Sequence, residues 1–526
     1  MFSKLAIFFY VLFIALLFAK DRKLRPMASW ALWIPFLWIV IIGSRPVSAW
    51  FGGGLRPESP QDYLKGSPVD ASVYLLLIIV GLSVLVRRRI SWGRLFASNR
   101  WFFAFFFYCL LSIMWSDYPV VAFKRWFKDF GNIVMVMIIL SEKNHVQAMK
   151  AIFLRYSYLT VTLSVLFIKY LPEFGRTYNP WTWQVMDVGV TEDKNTLGSL
   201  ALITGLFLIW DLIEMQTKQH RESSRTHESL LVRKGQRRDK VCLAGTGGHS
   251  RTKLATIIVG NKSMDRFDLL NRVLLLLMVV YLIDKADSST SLLCLIIGIC
   301  IIFLIRSSLA KRQVLIRNLG TYCLILILLL LFLYSFPDIL RPLFELLGED
   351  MTLTGRTDLW ADLLQSPINP FLGRGYQSFW LGSEATNLWE KYYFHPNQAH
   401  NGYLETYLNG GLIGVCLLIA VIVSTGSKLK KEMLLGSNFG ILCFSFLVIL
   451  VFSNWTEASF NKLCLQWIIL IASALNYSLS NMSIPRNLAQ SRSSDIVGTK
   501  FNYKSKVPAK YKANVQFKMK YKNEGK

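Results

Sequence analysis

QAHNGYLETYLNGGLIGVCLLIAVIVS, residues 398–424, sets a histidine, an asparagine and a glutamate directly ahead of an apolar run. A helix needs ~20 mostly apolar residues to cross a hydrocarbon core of about 30 Å, and this run approaches that length. Twelve other blocks resemble it: 5–19, 29–43, 71–86, 101–115, 129–141, 151–169, 196–213, 269–283, 289–305, 318–336, 434–453 and 462–479. A chain of 526 residues, 53% hydrophobic, with its apolar residues in blocks instead of at strand or surface-helix spacing, is a membrane protein. The blocks lack the short alternation of an outer-membrane barrel, which leaves helices as the solution in lipid. The expected fold is all-α: a polytopic integral membrane helix bundle of about 12–13 spans with a large external loop.

Charge placement orients the bundle. Residues 216–268 hold twelve Lys or Arg against five acids, and the tail 482–526 holds eleven against two, so both are expected on the cytoplasmic side. Residues 337–405 reverse the sign, with four basic residues against nine acids, and are expected outside. The net charge of +26 lies between and after spans, not on a folded basic domain, so nucleic acid is not an expected partner. Basic KDRKLR follows the first block where a signal peptide would carry small residues, and that block is expected to be retained. AFKRWFKDF, 122–130, falls outside under this topology and suits an interfacial amphipathic segment. Seven cysteines lie in proposed spans and Cys242 in a basic loop, with no disulfide framework or metal spacing.

The resulting organisation is a transmembrane bundle over 1–215 with external loops 44–70 and 170–195, a basic cytoplasmic loop 216–268, and spans over 269–336. A large external loop follows at 337–405, then spans over 406–481 and a basic, disordered tail 482–526. CLAGTGGHSRTK in the basic loop lacks the spacing of a phosphate-binding loop and reads as flexible insertion.

The residues able to do chemistry gather outside. After Arg356, Leu359, Trp360, Leu363 and Leu364 share one side of a short helix stopped by Pro367, which suits a helix lying on the membrane surface. Arg356 would then sit by a helix N-terminus, where amide N–H groups also favour an anion, and a guanidinium grips phosphate with two prongs. A salt bridge to Asp358 or Asp362 explains Arg356 equally well. Arg374 lies between glycines, where the backbone can approach a ligand or merely turn. His400, followed by Asn401 and Glu405, can accept a proton near neutral pH, although a lone histidine at a span mouth is usually structural. Lys194 and Asn195, in VTEDKNTLG, suit phosphate or sugar hydroxyls, or else snorkelling and helix capping. Arg176 and Arg45 are further external cations among Trp and Tyr, where aromatic belts account for the rings as well as sugar stacking does.

GRTDLW, PFLGRGYQSF and AHNGYLETYLNGGLIG, in that order and preceded by VTEDKNTLG, resemble the signature region of the bacterial O-antigen ligase and polymerase superfamily. The likeness runs from about residue 30 to 480. It implies a metal-independent glycosyltransferase with no cofactor and a fold like that of lipid-dependent glycosyltransferases. The implied reaction moves a glycan from an undecaprenyl-diphosphate carrier to a glycan, lipid or protein acceptor. It takes place at the periplasmic face of the bacterial inner membrane, in lipopolysaccharide or exopolysaccharide biosynthesis, alongside other polysaccharide export proteins. By the same resemblance Arg356 holds the carrier diphosphate, His400 serves in the acceptor site, and Arg176 or Arg374 adds to diphosphate binding. The ligase label is the leading expectation and the repeat-unit polymerase its close alternative. Two other classes compete. A transporter or flippase would carry ionisable groups at mid-membrane, and Arg155 is the main residue of that kind. A noncatalytic scaffold would make His400 and Arg356 dispensable.

Overall fold

The computed structural model describes residues 2–24, 29–52, 62–88, 90–178, 183–243, 266–307, 312–322, 325 and 356–480. The expected tail 482–526, most of the apolar block 318–336 and the start of the 337–405 loop lie outside the described residues. Twelve of the thirteen apolar blocks coincide with helices. They are α1 (Phe2–Leu24), α2 (Trp33–Ile42), α3 (Pro68–Arg87), α4 (Arg100–Leu111), α5 (Pro119–Leu140), α6 (His145–Tyr170), α7 (Lys194–Leu243), α8 (Arg266–Ala286) and α9 (Ser289–Ser307). After the short helices α10 (Arg356–Gln365) and α11 (Ser383–Lys391) come α12 (Gly402–Leu434), α13 (Asn438–Ser453) and α14 (Leu465–Ser480). Among the described residues, strand is confined to the hairpin β1 (Arg176–Tyr178) and β2 (Val185–Asp187).

Six of these helices, α1, α3, α6, α7, α9 and α12, are each long and apolar enough to cross a membrane, and α2, α13 and α14 are shorter apolar helices. The chain is a multi-pass membrane protein. A further candidate span is bent: the helix Trp92–Ser98 meets the helical stretch Arg100–Trp115 at 94°. The amphipathic stretch 122–130 opens α5, whose second half, Gly131–Leu140, is buried throughout. One expectation is corrected: residues 216–243 extend α7 as helix instead of forming a loop. They contain no proline and a single glycine, with many Arg, Lys, Gln and Glu, all good helix formers.

Burial separates central helices from lipid-facing ones. In α6, 83% of the span is enclosed by protein, against 6% in α1, whose Leu5, Phe8, Phe9 and Leu16 face outward as lipid contacts should. α7 packs on α8 and α9, α9 on α13, and α12 on α4 and α13. Close approach requires glycine in places: a Cβ on Gly131 would enter the Trp38 ring, so α2 and α5 meet backbone to side chain there.

Several buried ionisable groups inside this bundle are matched to each other. The Arg155 Nε and Nη2 donate to Asp21 Oδ2 at 2.8 and 2.7 Å, tying α6 to α1. Asp211 takes Lys150 at 2.8 Å and Arg272 at 3.2 Å, joining α6, α7 and α8. Arg155, the residue that argued for a transporter, is thus one half of a structural ion pair. Removing one member of a buried pair costs about 3–5 kcal/mol, whereas replacing both with apolar groups is often neutral. Asp21→Leu alone is therefore expected to lower the thermal unfolding temperature in detergent sharply, and Asp21→Leu with Arg155→Met to recover most of the loss.

Candidate active site

The segment from Arg356 to Asn401 carries its own small core. Leu359 and Leu363 of α10 are fully buried against Phe379, Trp380, Leu388, Ala399 and Leu408. This corrects the reading of α10 as a membrane-surface helix. Its apolar side faces α11 and the turn at Phe379–Leu381, while Leu364 stays 64% exposed. The chain ahead of His400 is held from both sides. The Trp360 indole donates to the Ala399 carbonyl at 2.7 Å, and the Ala399 N–H donates to Glu405 Oε2 at 2.8 Å. Glu405 also accepts from the Trp380 indole at 3.0 Å and from Asn409 at 3.2 Å. This buried carboxylate anchors the approach to His400, which takes the left-handed backbone conformation, φ 49°. A bulky residue reaches that region only at a cost of ~1–3 kcal/mol.

Asn401 is the N-cap of α12: its side-chain oxygen accepts from the Tyr403 and Leu404 N–H groups, both at 3.0 Å. Asn401, an expected substrate-binding residue, thus has its side-chain oxygen engaged in this cap. The next residue, Gly402, presses on the turn after α13. Its N–H donates to the Asn454 carbonyl at 2.8 Å, and a Cβ there would meet the Asn454 side chain. Asn454 in turn organises the turn by accepting from the Ser459 N–H at 2.9 Å. That turn delivers Glu457.

Glu457 draws three of the expected residues together. Arg356 Nη2 lies 3.5 Å from Oε1 and His400 Nδ1 lies 3.9 Å from Oε2, so the two cover different oxygens of one carboxylate. Asn195 donates to Oε1 at 3.1 Å, bringing in the start of α7. Arg356 Nη1 also donates to the Thr456 carbonyl. Around this cluster Lys462 donates to Gln398 Oε1 at 2.5 Å, and Gln398 Nε2 lies 3.4 Å from His400 Nδ1. Three side chains of the cluster are partly open: Arg356, His400 and Glu457 expose 22%, 25% and 23%, enough for a substrate to reach them. Burial alone would raise the Glu457 carboxyl, but His400 beside one oxygen and the charges of Arg356 and Lys462 outweigh it and hold the group below the usual glutamate range.

The remaining expected residues make their contacts away from Glu457. Arg45 donates to three backbone carbonyls, Thr191 at 2.8 Å, Phe174 at 2.6 Å and Gly189 at 2.9 Å, and so clamps the loop that leads into α7. Burial draws its guanidinium below the usual arginine range. Arg176 pairs across the hairpin with Asp187 at 3.0 Å, directly opposite in register. Lys194 reaches Asp287 at 3.2 Å, away from its neighbour Asn195. Arg374 bridges Asp117 at 3.4 Å and Glu384 at 3.6 Å. The glycines around Arg374 do allow a close backbone approach, to α12 instead of to a ligand. α12 breaks at Gly411, φ 60°, and residues 370–375 insert there. Arg374 and Gly375 N–H groups donate to Leu408 and Asn409 carbonyls at 2.9 Å each, and the Leu412 N–H donates to the Pro370 carbonyl at 2.9 Å. Asp362, expected as a partner for Arg356, instead holds Lys391 and Tyr392, each at 2.6 Å, and the hydrogen bond from Lys391 lowers its carboxyl. Among the described residues no three His, Cys, Asp or Glu side chains gather as a metal site would require.

Sequence reasoning missed Glu457, Gln398 and Lys462. The available signal was the polar stretch SNWTEASFNK, 453–462, between two apolar blocks. A carboxyl held down by its partners contributes stability that is complete above its unfolded value and is lost as pH falls through its folded value. Acidification below the ordinary glutamate range should therefore lower the unfolding temperature of the native protein more than that of Glu457→Gln, as read by thermal unfolding across pH 3–7 in one detergent.

Residues 273–419 match the O-antigen ligase family model, a stretch that runs from α8 into α12 and contains Arg356, Arg374 and His400. The chain is also similar to the exopolysaccharide production protein ExoQ of Rhizobium meliloti (strain 1021), 24% identical over 349 residues, which cover 64% of this chain and 67% of that protein. With its helical membrane fold and the order of its motifs, the chain is similar over these residues to the O-antigen ligase family and to a protein of exopolysaccharide production.

Proposed function

We propose that this protein transfers a glycan from an undecaprenyl-diphosphate carrier to a hydroxyl acceptor at the outer face of the bacterial cytoplasmic membrane, using no resident metal. The observation that carries the reading is that Arg356 and His400 meet on one carboxylate, Glu457, at a site open to solvent. In this mechanism His400 takes the proton of the acceptor hydroxyl. The hydroxyl oxygen bonds to the anomeric carbon as the bond from that carbon to the carrier phosphate breaks, and the diphosphate leaves with its lipid. Glu457 orients the imidazole and stabilises the imidazolium that forms, as a carboxylate behind a histidine base does in other enzymes. A guanidinium has five N–H donors, and Arg356 commits two of its nitrogens to Thr456 and Glu457, so it retains donors for a phosphate. Asn195 keeps Glu457 in place from the α7 side. Residues 337–405 form the outward catalytic loop in this proposal.

The acceptor sets the name of the reaction. The exopolysaccharide production attached to the rhizobial relative favours a second carrier-linked repeat, and so polymerisation, over transfer to a lipid A core. A deletion strain should then accumulate single carrier-linked repeats; accumulation of full-length carrier-linked chains would assign ligation instead.

General acid–base help contributes typically 10²–10⁴-fold, so His400→Ala is expected to cut polymer formation by about that factor at unchanged protein level. Loss of a placed donor to a leaving group costs about 10²–10³-fold, and a lysine cannot reproduce the two-pronged grip, so Arg356→Lys should stay similarly poor. Wild-type turnover in both variants, measured on membranes with normal protein content, would rule the mechanism out and leave a scaffold or transporter.

A further inference from the structure

Residues 87–101, RRRISWGRLFASNRW, hold five arginines and no acid. They lead from α3 into α4 through the short helix Trp92–Ser98, which meets the helical stretch Arg100–Trp115 at 94°. The corner is fixed from within. Leu95 is fully buried, and Asn99, 2% exposed, donates from Nδ2 to the Leu95 carbonyl at 2.8 Å. The Phe96 ring packs on Phe103 of α4, with 4.3 Å between centroids. From α12, Lys428 Nζ donates to Asn99 Oδ1 at 2.5 Å and to the Ala474 carbonyl of α14 at 3.1 Å.

This corner lies at the end of the bundle away from the Glu457 cluster. α12 begins beside His400, and helical rise carries it roughly 25 Å from its break at Gly411 to Lys428, close to the thickness of a hydrocarbon core. A right-angled helix linking two spans at that level lies along the membrane surface. Its residues divide accordingly. Trp92 and Phe96, four apart and so on one face, are 46% and 41% exposed, whereas Arg94 stands about 200° round the helix from Trp92 and is exposed as well. An exposed indole beside exposed cations fits the headgroup region of a bilayer.

The positive charge here is only partly matched. Glu142, just past the end of α5, takes Arg88 at 2.5 Å. Among the described residues Arg87, Arg94 and Arg100 have no carboxylate within ion-pair reach: Arg94 turns back to the Ser91 hydroxyl at 3.4 Å, and Arg100 lies 5.9 Å from the Trp101 ring. Glu432, one turn beyond Lys428, lies against Gly440 of α13.

We propose that this corner is a binding site for an anionic phospholipid headgroup. The exposed arginines meet its charge, and Trp92 and Phe96 meet the upper part of its acyl chains. The site is independent of the chemistry at Glu457.

The full chain in nonionic detergent, titrated separately with dihexanoyl phosphatidylglycerol, dihexanoyl phosphatidylcholine and inorganic phosphate, tests it. Wild type is expected to bind phosphatidylglycerol about tenfold or more tightly than either of the other two. One cation near the surface contributes about fivefold to holding an anionic lipid, so Arg94→Gln and Arg100→Gln should each weaken phosphatidylglycerol by that factor and leave phosphatidylcholine unchanged. Lys124→Gln removes an exposed cation near the start of α5, at the other end of the bundle, and should change neither. Equal affinity for the two lipids, unchanged phosphatidylglycerol binding in both arginine variants, or an equal loss in Lys124→Gln overturns the site. Displacement of the lipid by inorganic phosphate at matched concentration assigns a soluble anion instead and overturns it too.

Discussion

An unmatched polar group is costly in hydrocarbon, and this single constraint organises the molecule from its helices to its Glu457 cluster. Helical blocks satisfy their own backbones. Arg155 and Asp21 satisfy each other, and Asp211 satisfies Lys150 and Arg272. Asp129, buried in α5, is surrounded by the donors of Asn132, Trp467 and Tyr376. Where α12 must break, the loop 370–375 supplies the donors and acceptors that the helix gives up at Gly411. The broken helix then ends at its own cap, Asn401, with the histidine immediately before it.

Against this background of closed accounts the Glu457 cluster differs in kind. Its contacts are longer, 3.1 to 3.9 Å, and its members come from four separate places: the start of α7, the start of α10, the mouth of α12 and the turn between α13 and α14. Each cation is partly open to solvent. Charges gathered from remote parts of the chain, held loosely and left accessible, suit exchange with a charged ligand better than they suit stability, since partly exposed ion pairs contribute little.

The helices were legible in the sequence because lipid demands long apolar blocks, a signal independent of tertiary contacts. Arg356 at a helix start and His400 at a span mouth were legible for the same reason, as polar residues at element boundaries. Asn401, Arg374, Arg176 and Arg45 stand at equally conspicuous boundaries, and the contacts each makes with the chain itself are a partner choice that only the folded arrangement reveals. Glu457 was invisible for the opposite reason. In SNWTEASFNK it looks like any acid in a short turn, and its importance comes from residues 262 and about 100 positions away that converge on it. The glycines around Arg374 read equally as a ligand approach or a turn, and in the fold Gly373 and Gly411 let two stretches of backbone touch.

Arg45 illustrates how far positional influence extends from a reacting group. By gripping the carbonyls of residues 174, 189 and 191 it gives an irregular loop the rigidity of a regular one. The loop passes that rigidity through the Asp193 cap on Thr196 to Asn195, and so to Glu457. Loss of Arg45 is therefore felt at the Glu457 cluster, although the contacts of Arg45 itself are with that loop.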